Sequence, residues 1–183
     1  PLLIKLIEGA KIDLSKDTLM VPKLSIDIGK ANLVTNINGV NISDNMQLTG
    51  SYQMDSFDFN QFMTQLTGSP LVSNDAFADF NSRGKWLFNG ARLKLDELEL
   101  KYSKTMMKGN VDINNLDRLK GKFNLHVNQF NVDDFLGDES SSSGGNDKAD
   151  SNELNFGQLS GNVKIDRLTA SGTTMDNITM NIQ

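Results

Sequence analysis

Apolar and polar residues alternate along most of this chain. In "KLSIDIG" Leu24, Ile26 and Ile28 fall on one side of an extended backbone, and in "GKFNLHVNQFNV" Phe123, Leu125 and Val127 do the same. A period of two belongs to strands, because successive side chains point to opposite faces of a sheet. The intervening positions carry Lys, Asp, Asn, Gln, Ser and Thr. The pattern therefore predicts strands with one apolar and one wetted face, which suits an antiparallel sheet and not a parallel one buried on both faces. Turn signals at Lys16-Asp17, Asn38-Gly39, Asp44-Asn45, Asn89-Gly90, Asn114-Asn115 and Gly172 divide it into a meander.

With 183 residues, 38% of them hydrophobic and 22% charged, the chain is long enough for one domain with a real core and has the composition of a folded protein. Its 18 Lys and Arg are scattered singly against 23 Asp and Glu, so no basic stripe offers itself to phosphates, and nucleic acid is not an expected partner. Absence of cysteine excludes disulfides, thiolate zinc sites and cysteine nucleophiles. No apolar run approaches the roughly 20 residues that span a bilayer, and no signal peptide opens the chain. The start at Pro1 and the end inside the alternating "NITMNIQ" lead us to expect an excerpt of a longer protein.

Two places leave the alternation. Phe59, Phe62, Met63 and Leu66 are spaced i, i+3, i+4, i+7, with Asp58 placed to cap and Gly68 to stop, which predicts a short amphipathic helix covering the apolar face. A second helix is expected in "SNDAFADFNSRG", where Ser73 and Asn74 cap, Phe77 and Phe80 lie three apart and Gly84 ends it. The expected organisation is an antiparallel β domain over 1–137 with a helical insert at about 58–83, a flexible low-complexity loop over 138–152, and further strands of the same sheet over 153–183.

Parts of the chain echo one another. "FDFNQFM" from Phe57 pairs with "FNVDDFL" from Phe130, and "LKLDELEL" from Leu93 pairs with "VKIDRLTA" from Val163. In the second pair the apolar phase slips by one at the Asp, from Leu95 to Leu98 and from Ile165 to Leu168, which calls for a bulge or tight turn if both ends are to serve one face.

In order along the chain stand "FDFNQFMTQLTG", "NGARLKLDELELKY", "GNVDI", "FNVDDFLGDESSSSGG" and "LSGNVKIDRLTASG". Over residues 48–182 this order resembles the AsmA family of Gram-negative envelope proteins, although the proline that often follows "DDFL" there is missing here. The resemblance implies a periplasmic fragment of a protein anchored in the inner membrane outside this stretch. It also implies similarity to bridge-like lipid transfer proteins, in which a curved antiparallel sheet, a groove or partial barrel with an apolar concave face, shelters phospholipid acyl chains between the two membranes and supports outer-membrane assembly. The expected lining is Leu93, Leu95, Leu98, Leu100, Val111, Ile113, Phe123, Leu125 and Val127, under a helix carrying Phe59, Phe62, Met63 and Leu66. One alternative is a structural β module with a closed core that binds another envelope protein; a second, a carbohydrate-active or ligand-binding β domain, would require convergent carboxylates or aromatics on one polar face, and the sequence displays no such cluster.

Catalytic signals are weak. His126, the single histidine, alternates with Leu125 and Val127 and so belongs to the polar face, with no activated nucleophile beside it. Asp133, Asp134, Asp138 and Glu139 form the densest carboxylate cluster but lack EF-hand spacing, and read as solvated charges at a loop entrance. Trp86 in "GKWLFNG" reads as a buried strand aromatic in preference to an interfacial anchor. No enzyme activity, cofactor or metal is expected.

Overall fold

The computed structural model describes residues 2–67, 78–134 and 158–183. Eleven strands form one open sheet: β1 (Leu2–Leu6), β2 (Lys11–Asp13), β3 (Thr18–Ile28), β4 (Ala31–Val40), β5 (Gln47–Phe57), β6 (Phe80–Phe88), β7 (Leu93–Tyr102), β8 (Thr105–Asn115), β9 (Lys120–Asn131), β10 (Gln158–Ala170) and β11 (Thr173–Ile182). From β3 to β11 they lie side by side in chain order, while β1 and β2 share the outer edge of β3. The ends, β1 and β11, do not meet, so the sheet is not closed.

All pairs are antiparallel except one. β10 runs parallel to β9, with Leu125 beside Val163 and Val127 beside Ile165. This corrects the uniform meander expected from the wetted face. Alternation fixes which face a side chain takes and says nothing about the direction of the neighbouring strand. A parallel step needs a long crossover, and residues 132–157 supply the length for one. The expected loop at 138–152 lies outside the described residues.

Paired residues share a face, so the register shows where the apolar positions go. Ile4 pairs with Ile26, Ile26 with Leu33 and Leu33 with Met54. Leu48 pairs with Phe88, Phe88 with Leu93 and Leu93 with Ile113. Val111 pairs with Phe123, and Ile165 joins Val127 to Ile178. One apolar face thus continues across the whole sheet.

The slip in "LKLDELEL" is resolved as expected. Leu95 pairs with Val111 and Leu98 with Gly109, so Asp96 and Glu97 together stand opposite Asn110 and both leucines stay on one face. Glu97 makes the bulge by taking φ 51°. The matching slip in β10 takes another form. No shift interrupts its ladders with β9 and β11, which skip Asp166, and Asn177 opposite has φ 58°. In β9, Val127 pairs with Met107, and three residues on Phe130 packs against Tyr102 on that same face. The neighbouring strands change phase together and keep their register.

The helix α1 (Phe59–Thr67) forms where its spacing predicts. Asp58 caps it, its Oδ1 accepting the Gln61 N–H at 2.9 Å. The expected second helix is not borne out where it can be judged: Phe80 opens β6 and Gly84 lies inside it. Phe80, Ser82, Gly84, Trp86 and Phe88 alternate in step with β5 and β7, and pairing on both sides outweighs the short helical spacing. Residues 73–77 and the Gly68 stop lie outside the described residues. Asn38-Gly39 is likewise no turn, since both residues belong to β4 and pair with Thr49 and Leu48.

A left-handed backbone costs a side-chain-bearing residue about 1 kcal/mol or more relative to glycine. Glu97→Gly should therefore raise the urea midpoint, because the exposed Lys85–Glu97 pair it removes contributes little. Glu97→Val should lower it, since a β-branched residue fits φ > 0 worst.

Candidate functional site

Each expected lining residue lies on the apolar face. Leu93, Leu95, Leu98 and Leu100 come from β7, Val111 and Ile113 from β8, and Phe123, Leu125 and Val127 from β9. The face is only partly covered: Val127 is 2% exposed, while the other eight are half-buried. Neighbouring strands supply that cover, because no second layer of strands lies over the face among the described residues. Toward the edges exposure rises, reaching 63% at Leu2, 58% at Ile4 and 45% at Ile182.

Trp86 shows how the face is packed. Its ring lies over Gly50 on β5, where a Cβ would come within 2.8 Å of the indole, and its Nε1 donates to Thr35 Oγ1 at 3.0 Å. Thr35 is buried, and through this bond and one from its own hydroxyl to the Ser51 carbonyl it is satisfied. Phe123 covers Gly161 in the same way.

The helix closes one end of this face. Phe57, buried at the end of β5, meets Phe62 edge-on at 5.6 Å, and Phe59 stacks on Phe80 at 4.8 Å. Phe59 and Phe80 also pack with Leu100 and Phe130 around Tyr102, whose burial pushes its hydroxyl pKa up. Met63 is half-buried on the same helix, and the Leu66 side chain lies outside the described residues. The helix thus reaches Leu100 but sits at the strand ends, away from Leu93 and Ile113 at the far end of the strands.

Recesses also open on the other face. One of about 780 Å³ crosses the polar face from Lys23 to Lys108, and another of about 400 Å³ continues from Lys108 to Thr179. The first is lined by Glu99, which accepts from Arg83 at 3.0 Å, Lys108 at 3.3 Å and Lys101 at 3.4 Å. The Arg83 bond, with support from Lys108, holds its carboxyl down to about 2. Nearby Arg92 grips Asp112 with two bonds and lowers its pKa in the same sense. Sequence reasoning missed this hub: "DELELKY" places Glu99 among alternating charges and leucines, but its cationic partners come from three different strands.

Other candidates resolve into structural roles. His126 is exposed on the polar face, its Nε2 2.8 Å from Asp166. Asp133 accepts the Ser171 and Gly172 N–H groups at 2.6 and 3.2 Å, which ties the chain after β9 to the β10–β11 turn. Asp134 accepts from Asn131 at 2.8 Å, and Asp138 and Glu139 lie outside the described residues. Among the described residues no group of three His, Asp or Glu side chains converges as for a metal, and no helix is long and apolar enough to cross a membrane. Compared with known proteins, the chain matches no family model, no curated protein and no solved structure.

Because the Glu99 pKa is depressed in the folded state, its contribution to stability is complete above its ordinary value near 4.5 and is lost as pH falls toward about 2. Urea unfolding followed from pH 6 to pH 2 should show a loss of stability through that window, and Glu99→Gln should flatten it while lowering stability at pH 6.

Proposed function

We propose that this chain is a noncatalytic, periplasmic module of an AsmA-like envelope protein, held by an inner-membrane anchor outside this stretch. On this reading the sheet curves with its apolar face inward and shelters phospholipid acyl chains passing between the inner and outer membranes, in support of outer-membrane assembly. The observation that carries the proposal is the apolar face itself. It continues from β1 to β11 without a second layer among the described residues, where an ordinary domain packs such a face against helices or another sheet. An acyl chain satisfies that surface without asking for a polar partner, and a row of half-buried leucines tolerates chains of different shape. The order of the sequence motifs supports the family and, with it, the compartment.

The open sheet weighs against the alternative of a structural module closed over its own core. Its second element, binding to another envelope protein, keeps one supporting observation: β1 presents Leu2, Ile4 and Leu6 strongly exposed along an outer strand.

Native mass spectrometry with lipid extraction tests the main reading on the chain purified from a bacterial envelope without detergent. Stoichiometric phospholipid is expected, and a charge on the lining should abolish it by desolvation, in Leu95→Asp or Leu125→Asp with unchanged circular dichroism. A folded wild-type chain that emerges free of lipid and takes up none when it is added overturns the reading.

A further inference from the structure

The polar face carries ordered rows of its own. The register of β8 to β11 sets Asn110 beside Asn124, Asn124 beside Asn162, and Asn162 beside Asn181. Four amides thus lie in line at the strand spacing of about 4.8 Å. Two residues along each strand, Lys108, His126, Lys164 and Thr179 make a second row next to the first. In the first row Asn162 Nδ2 donates to Asn124 Oδ1 at 3.1 Å, a cross-strand bond that supports the sheet; the second row sets basic residues opposite one another, which repel.

Three amides of the first row, Asn110, Asn124 and Asn162, and all four residues of the second line the 400 Å³ recess, which shares Lys108 and Gly109 with the 780 Å³ recess. The result is one trough running across the strands. Its walls carry Lys23, Arg83, Lys85, Lys108 and Lys164 against Glu97 and Glu99 only, in a chain whose net charge is -5. Lys164 forms no ion pair among the described residues.

We propose that this trough binds an extended anionic saccharide, a uronate-type chain laid across the strands. Amide side chains both donate to and accept from hydroxyls, and a row of them at strand spacing offers one amide to each successive sugar ring. The flanking cations meet carboxylates, and the linear form of the trough fits a polymer better than a single head group. A nucleic acid is disfavoured, because base stacking needs exposed aromatic rings and the ring of Tyr52, paired with Gly84, belongs to the opposite face. The site lies on the other side of the sheet from the proposed lipid lining, so the two readings stand or fall separately.

Isothermal titration of the whole chain with a hexamer of galacturonate, beside neutral maltohexaose and oligo-dT, is the test. Binding of the uronate alone is expected, weakening with salt. Lys164→Gln should reduce affinity about tenfold and lessen the salt dependence, and Asn124→Thr should reduce it by a similar factor with the salt dependence unchanged. Threonine keeps the strand propensity, so a folding defect does not obscure the second variant. No uronate binding, equal binding of oligo-dT or maltohexaose, or binding that both variants leave intact overturns the proposal. Lipid content of the two variants by native mass spectrometry should match wild type whichever way the sugar result falls.

Discussion

Phase governs this fold. A strand that slips by one residue turns its whole apolar set to the other face. Across so wide a sheet such slips would scatter leucines over both surfaces. Here three of the register shifts fall where the sequence steps out of alternation: between Val21 and Leu24, Met54 and Phe57, and Leu95 and Leu98. Each inserts an unpaired residue and restores the apolar series on the far side. The bulges do not interrupt the sheet's design. They allow long strands to serve one face without strict alternation over their full length.

What holds the sheet together follows from its being a single layer. Among the described residues only a few side chains are deeply enclosed, with Val127, Ile165 and Tyr102 at 2–4% exposure, so no thick core forms there. Backbone ladders and cross-strand pairs carry the stabilisation, each strand depending chiefly on its two neighbours. That gives the aromatic–glycine pairs their importance. Trp86 over Gly50 and Phe123 over Gly161 lay rings against bare backbone, burying apolar area where no opposing layer of strands lies among the described residues. The same logic explains α1, whose phenylalanines close the one end of the face where Phe57, Phe80 and Tyr102 gather.

Much of this was legible from periodicity alone. The shared face of Leu93, Val111 and Phe123 with their strand neighbours, the cap at Asp58, the helix from Phe59 and the re-phasing of Leu98 after Leu95 all follow from local spacing. What escaped was set by partners distant in sequence. Phe80 looks helical from its neighbours and becomes a strand residue because β5 and β7 flank it. Asn38-Gly39 looks like a turn until Thr49 and Leu48 pair with it. The parallel step from β9 to β10 has no local signature, since β10 alternates as any antiparallel strand does. Convergence of Arg83, Lys101 and Lys108 on Glu99 was hidden for the same reason: three strands contribute to it.

A single-layer sheet also separates its two surfaces chemically. Alternate residues of one strand point to opposite sides, so Leu125 and its neighbours Asn124 and His126 answer to different solvents although they share a backbone. In a two-layer domain the apolar side is used up in folding and only the polar side is left for recognition. Here the apolar side is not consumed by a second layer among the described residues, and the polar side holds its own recesses and a charge excess opposite in sign to that of the chain. The architecture therefore leaves two surfaces of unlike chemistry free to act independently. Substitutions on one are insulated from the other by the hydrogen-bonded ladder between them, provided the bulges that keep the two sets apart stay in place.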